Sequence, residues 1–224
     1  MTPQPNQGDE LAALYRARFE GADADRMRVW RVLVAHVFQR YVPSTGSVLD
    51  VGCGWGEFIN AIDAKRRYAI DLNPDARARL APDIEFFLQS CADPWPVPGD
   101  ALDTVFTSNF LEHLPSKELL VATVGQAFRC LKPGGRLICM GPNIRLVPGA
   151  YWDYFDHHLP LSERSLGECL LSCGFTIERS VARFLPYTMS GKKPPASLLI
   201  RAYLAMPLAW PLFGKQFLVV ARKP

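Results

Sequence analysis

The chain alternates between short apolar runs and longer stretches in which apolar residues recur every three or four positions. Val29, Leu33, Val37 and Tyr41 fall on one helical face, so residues 25–40 read as a helix, and residues 9–20 read as another. From there the period changes. β-like runs stand at SVLDV (47–51), RYAID (67–71), IEFFL (84–88), LDTVFTS (102–108) and RLICMG (136–141). Between most of them lie segments of helical length, among them EFINAIDAK (57–65) and SKELLVATVGQAFRCL (116–131). Strands separated by helices predict a parallel sheet covered on both faces. In LKPGG (131–135), Pro133 prevents the helix from continuing and the glycine pair makes the turn into the next strand. The connection before residue 102 is short and proline-rich, so an irregular path is expected there. Beyond residue 141 the pattern loosens into a proline- and aromatic-rich region, followed by a helix near 162–173 and strands near 175–184 and 215–222.

Length and composition fit this picture. With 224 residues, 49% of them hydrophobic, the chain suits one large unit with a sizeable core. We divide it into an N-terminal helical lid or appendage (1–45) and a single globular unit (46–224). A formal charge of +3 gives no sign of a polyanion track. The N-terminus lacks a basic start followed by an apolar run, so a cytoplasmic location is expected. Six scattered cysteines without C-x-x-C spacing read as reduced thiols. Residues 197–213 are apolar but contain Arg201, Pro207 and Pro211, and are shorter than the roughly 20 residues that span a bilayer. Core packing, a dimer contact and peripheral contact with the inner face of a membrane stay open for them.

The densest chemistry lies in VLDVGCGWG (48–56), where Gly52, Gly54 and Gly56 follow the first strand. In an open α/β sheet this position is the ligand crevice. The spacing is G-x-G-x-G rather than the G-x-G-x-x-G of a nicotinamide-dinucleotide site, which argues against a pyrophosphate grip. Asp50 would repel a phosphate and suits a cationic or amino-bearing ligand. Asp71 ends the second strand, where a carboxylate can accept from both hydroxyls of a ribose. The ligand implied has a ribose and no phosphate.

The combination VLDVGCGWG, AIDLNP, SCAD, SNFLEHLP and LKPGGRLICMGPN resembles the class I S-adenosylmethionine-dependent methyltransferases over residues 45–180. The resemblance implies a Rossmann-like, doubly wound sheet of seven mostly parallel strands, with KQFLVVAR inserted antiparallel, and S-adenosyl-L-methionine as cofactor. It implies that the loop of Gly52, Cys53, Gly54 and Gly56 passes beneath the methionine part, organised by Asp50. Asp71 would hold the ribose, and Leu72 and Asn73 would flank the adenine. Asp93 with Cys91 and Ala92 would meet the adenine edge, and Asn109 and Phe110 would line the cofactor near its methyl group.

For the acceptor, SNFL at the end of the fourth strand differs from the D/N-P-P-Y motif of nucleic acid amino-methylating enzymes, and no Pro-Cys dipeptide is present. Nucleic acid is therefore not the expected acceptor. Shorter matches in YRARFEG, RMRVW, GEFINAI and YWDYFDHHLPLSERSL resemble bacterial methyltransferases acting on cell-surface polysaccharide or its sugars. They suggest a lid with Tyr15, Arg18 and Phe19 and an O-methylation of a small hydroxylated acceptor such as a sugar or glycolipid precursor. A phenol of quinone type, an RNA 2'-hydroxyl, or cofactor binding without turnover are the alternatives. A hydroxyl acceptor needs its proton removed, and His157, then His113, are the candidate bases. Tyr151, Trp152, Tyr154 and Phe155 could wall a pocket for a sugar ring. Glu112, His113 and His157 also resemble the metal ligands of small-RNA 2'-O-methyltransferases, but Asn109 stands where that family has a further glutamate, so no metal is assigned.

Overall fold

The computed structural model describes residues 23–187 and 195–224. The helix expected at 9–20, with Tyr15, Arg18 and Phe19, lies outside the described residues. Seven strands form one sheet: β1 (Ser47–Val51), β2 (Arg66–Asp71), β3 (Ile84–Leu88), β4 (Leu102–Ser108), β5 (Leu131–Pro142), β6 (Thr176–Val181) and β7 (Gln216–Arg222). Their order is β3-β2-β1-β4-β5-β7-β6, and only β7 runs antiparallel to its neighbours. Every run expected to be a strand is one. The chain reverses outward at β1, which places the β1 and β4 ends at the switch point where α/β sheets hold ligands.

The alternation of side chains along the strands divides the core in two. Val48 of β1 and Leu218 and Val220 of β7 face one layer, while Leu49, Val51, Phe217, Val219 and Ala221 face the other. The first layer is closed by α1 (Asp23–Leu33) and the turns that follow it. Leu33, Val37 and Tyr41 are buried on the helical face expected for them. Phe38 meets Phe106 of β4 with ring centroids 5.0 Å apart, and Phe58 stacks on Phe106 at 3.6 Å. Truncating one such ring would cost about 3–5 kcal/mol. Residues 33–42 are thus continuous with the core of the sheet. The second layer is closed by α3 (Lys117–Cys130) and α4 (Glu163–Ser172). Ser116 and Ser162 cap these helices by accepting backbone N–H groups of the first turn.

The helix expected over 25–40 keeps its α form only to Leu33 and continues as a π turn, Val34–Phe38, and a 3-10 turn, Gln39–Tyr41. Two further elements differ from expectation. The helix after the glycines, α2 (Glu57–Ala61), is shorter than the nine residues its sequence suggested. Gln39 causes the stop: its amide donates to the Asp63 carbonyl and its carbonyl accepts from the Asp63 N–H, while Ile62 turns extended into the core. The Pro-Gly-Gly turn is absorbed into β5 as a bulge, since Leu131 pairs with Leu102 but Arg136 already pairs with Thr104. Gly134, at φ +81°, donates to Lys223 O, and Lys223 N donates back to Gly135 O. The connection before β4 is irregular, as expected. No helix among the described residues is long and apolar enough to cross a membrane. All six cysteines are free, and four of them are buried.

Candidate active site

The glycine loop leaves β1 with Gly52, Gly54 and Gly56 all in the left-handed region, at φ +68°, +54° and +76°. This conformation disfavours any side chain at these positions. A Cβ at Gly52 would also lie 2.1 Å from the Phe110 ring. The glycine therefore lets the end of β4 close against the loop, an approach the sequence did not reveal.

Asp71, at the end of β2, holds the loop from the side. Its carboxylate accepts from Gly54 N at 2.7 Å and from Asn73 N at 2.8 Å. Asn73 is buried, its side-chain oxygen accepts from Asp75 N, and its amide nitrogen has no hydrogen-bond partner among the described residues. Asp50 is buried beneath the loop. Burial, with the neighbouring Glu57 and Asp71 charges, pushes its carboxyl well above the usual carboxylate range, against a hydrogen bond from the Ile59 backbone. Burial also raises Asp71. Glu57, the first residue after the glycines, pairs with Arg26 of α1. The loop is thus ringed by three carboxylates, of which one has a cation partner from the N-terminal helix. A ligand bearing positive charge and hydroxyl groups fits this donor set: it would offset the buried acids, and the carboxylate of Asp71 retains acceptor capacity beyond its two backbone bonds.

Cys91, Ala92 and Asp93 follow β3 in a turn where Ala92 N donates to Ser90 Oγ and Asp93 N to Ser90 O. Cys91 is buried with its thiol 3.1 Å from Thr123 Oγ1, while Asp93 and its neighbour Pro94 are exposed. Leu72 is half-buried beside Asp71. Asn109 takes φ +49° and is fixed by its N–H to Met140 O at 2.8 Å. The tight helical turn Leu111–His113 follows directly after it, with Leu111 and Glu112 buried.

There the structure assembles a second group of side chains from two distant segments. Glu112 is buried, and its backbone carbonyl accepts from His158 N and Leu159 N, which ties down the loop after β5. One ligand-type atom from each of Glu112, His113 and His157 lies within 4.8 Å of the others. Burial raises the Glu112 carboxyl to about 7, against the pull of His113. His113 Nδ1 stands 2.9 Å from Asp156 O and 3.1 Å from Asp156 Oδ2, and these contacts with Glu112 raise its pKa despite burial. The His157 ring lies 4.8 Å from that of His113 and stacks on Tyr154 at 5.0 Å. Tyr151 is fully buried and donates to Leu159 O.

His157 is therefore a buried residue, whereas its neighbour His158 is exposed. The aromatics expected to wall a pocket divide. Tyr151 and Tyr154 pack around His157, Trp152 is 55% exposed, and Phe155 is fully exposed. Sequence reasoning missed Asp156, Glu57 and Arg26. All three lie inside segments already singled out, Asp156 in YWDYFDHHLPLSERSL, Glu57 in GEFINAI and Arg26 in RMRVW, but only the fold shows what they touch. The Glu112, His113 and His157 set has the size and ligand types to hold a divalent metal, with Asp156 behind His113.

Comparison with known proteins bears on the family and the fold. Residues 22–180 match the family model described as a methyltransferase domain. A probable S-adenosylmethionine-dependent methyltransferase of Mycolicibacterium smegmatis is 30% identical over 145 residues, 61% of this chain and 54% of that protein. An uncharacterised methyltransferase of Mycobacterium leprae is 34% identical over 126 residues, 52% of this chain and 45% of that protein. The chain spans about half the length of these curated relatives. Among solved structures, a chain described as the complex between the Haloferax volcanii Trm112 methyltransferase activator and the putative methyltransferase superposes with TM-score 0.71 at 20% identity, covering 99% of both chains. The N-methyltransferase NodS of Bradyrhizobium japonicum, with S-adenosyl-L-homocysteine bound, superposes with TM-score 0.63 at 14% identity, covering 98% of this chain and 100% of NodS. With its seven-stranded sheet, its glycine loop and a family match over most of its length, the chain belongs to the methyltransferase-domain family and has the S-adenosylmethionine-dependent methyltransferase fold.

Proposed function

We propose that the protein transfers a methyl group from S-adenosylmethionine to a hydroxyl of a small cyclic acceptor, with a sugar or glycan precursor as the favoured class. The observation that carries the acceptor half of this reading is the His113–Asp156 contact beside a buried Glu112 and His157. When bound, S-adenosylmethionine would supply an electrophilic methyl carbon, open to in-line attack by a hydroxyl oxygen that forms the C–O bond as the C–S bond breaks, with S-adenosylhomocysteine as the leaving group. Gly52, Gly54 and Gly56 give its methionine part a backbone surface. Asp71 and Asn73 take the ribose and the adenine side, with Leu72, Cys91, Ala92 and Asp93 along the adenine edge. Asp50 and Glu57 supply negative charge near the cationic end.

The remaining step is removal of the acceptor proton. His113 is favoured over His157 as the base because Asp156 fixes its Nδ1, leaving Nε2 as the proton acceptor. His157 is the more buried of the two, and its contacts with Tyr151 and Tyr154 suit it to position the pair. Exposed Phe155 and half-exposed Trp152 beside the cluster offer apolar faces to a sugar or phenol ring. One relative in fold is an N-methyltransferase, so amine acceptors belong in the test.

The test is transfer of labelled methyl from S-adenosylmethionine to panels of sugars, phenols, amines and short RNA. Label in hydroxylated small molecules supports the reading. Label confined to amines or RNA would replace the acceptor class, and binding without transfer to any panel would support a non-catalytic cofactor module.

A further inference from the structure

Residues 179–224 carry eight Lys or Arg and no Asp or Glu, although the whole chain is only +3. The first 178 residues are therefore net −5, and the C-terminal fifth of the chain holds a concentrated positive charge. The same stretch holds the largest run of exposed apolar side chains. In α5 (Ser197–Ala205), Ile200 and Leu204 face the core, and Tyr203 donates to Phe184 O. The outer face has no polar stripe to match: Leu198 and Leu199 are 74% and 63% exposed. The chain then turns at Pro207 into α6 (Trp210–Phe213). Trp210 is buried against Phe184, while Met206, Leu208, Leu212 and Phe213 stay exposed, Leu208 at 93%. A helix that is apolar on both faces needs a cover on the second face.

Charge decides which cover fits. Arg201 lies on α5, and Arg183 and Lys215 flank Gly214, whose backbone packs against Arg183. All three are exposed, and none forms an ion pair with another described residue. A second copy joined through this face would set the same cations against one another, because a two-fold contact brings a patch onto itself. A polynucleotide would answer the charge and leave six large apolar side chains in water. An anionic bilayer surface answers both, since aliphatic side chains enter the headgroup boundary while Arg and Lys meet acidic headgroups.

We propose that α5, α6 and the flanking Arg183, Arg201 and Lys215 form a docking surface for an anionic lipid bilayer, lying in its interface without crossing it. The segment is also joined to the N-terminal helix that reaches the glycine loop. Arg28 of α1 donates to Pro195 O at 3.0 Å, two residues from Arg26, the partner of Glu57. Docking would thus take place beside the cofactor loop.

Flotation of the full-length protein with phosphatidylcholine vesicles, with and without phosphatidylglycerol, tests this. The protein is expected to float only with phosphatidylglycerol vesicles and to be released by high salt. Replacing Leu208 and Leu212 together by Asn should abolish flotation at any salt, because both side chains stand in solvent and neither supports the core. Replacing Arg201 and Lys215 by Gln should lower partitioning about fivefold for each charge removed. Cofactor binding, measured by calorimetry, should be unchanged in both double variants, so failure here is separable from failure of the enzymatic reading. Absence of flotation at low salt would overturn the proposal. So would equal flotation on pure phosphatidylcholine, or a dimer in solution that dissolves in the Leu208 and Leu212 variant.

Discussion

The two halves of the crevice are made of different material. On the cofactor side, the glycine loop and the Asp71 carboxylate form a surface of backbone groups in left-handed turns, with Asp71 only 17 residues from the Gly54 amide it holds. On the side proposed for the acceptor, Glu112 and His113 meet Asp156 and His157 across more than forty residues of chain, through contacts that exist only in the folded state. The cofactor half is local in sequence and rigid in chemistry. The acceptor half depends on the loop after β5 being tied to the Glu112 carbonyl.

The sharpest contrast should appear in turnover. Substituting His113 by Ala is expected to lower kcat by a factor of about 10² to 10⁴ with cofactor affinity nearly intact, as for loss of a positioned base. Steady-state kinetics on an accepted substrate measures it, with His157→Ala in parallel. A larger loss in His157→Ala than in His113→Ala would reverse the roles assigned to the pair.

A smaller but broader effect is expected at Gly52. An alanine there combines a strained φ with a clash against Phe110, so the fold should lose about 2–4 kcal/mol and cofactor binding should fall with it. Denaturant unfolding reads the first and calorimetry the second. Replacing Phe110 by Gly in the same chain removes both the ring and its Cβ, which stands 2.8 Å from the added carbon, and leaves the strain; Phe110→Gly alone gives the reference. Partial recovery of stability in the double variant would separate the two causes, and no recovery would assign the whole cost to the backbone.

Those two halves correspond to what was legible in the sequence. Strand positions followed from apolar runs, and the glycines and Asp71 could be placed because their spacing along the chain is their geometry. Asp156 could not be paired with His113 from spacing, because a loop of that length has many ways to return. Gln39 stopping α2 at Ala61, and Phe110 filling the space above Gly52, are likewise contacts between segments far apart in the chain. The fold buries His157 and exposes its neighbour His158, a difference that position along the chain does not carry.

The acids distinguish the halves again through pH. Glu112, with an ordinary pKa of 4.5, is raised to about 7, so between these values the folded chain holds a proton that the unfolded chain has lost. Stability therefore falls as pH rises through that window. Asp50 and Asp71, also raised, act in the same direction, and His113, raised above 6.5, loses its contribution as pH passes its folded value. Thermal melts should show a falling Tm from pH 5 to pH 8 in the absence of cofactor. Glu112→Gln should flatten that fall by about 2 kcal/mol, or a few degrees. Saturating S-adenosylmethionine should flatten the part due to Asp50 and Asp71, because its cationic end offsets those charges. A slope unchanged by either would mean that these carboxyls are solvated in solution.

The central claim is that the loop of Gly52 to Gly56 together with Asp71 is an S-adenosylmethionine site. Titration calorimetry of the cofactor into the wild-type chain and into Asp71→Ala tests it most directly. The wild type is expected to bind with a Kd in the micromolar range and to show no heat with NAD. The variant loses the acceptor of Gly54 N and Asn73 N as well as a partner for the ribose, and should bind weaker by about 2 kcal/mol or more. Absence of binding in the wild type, or equal affinity in the variant, would contradict the account.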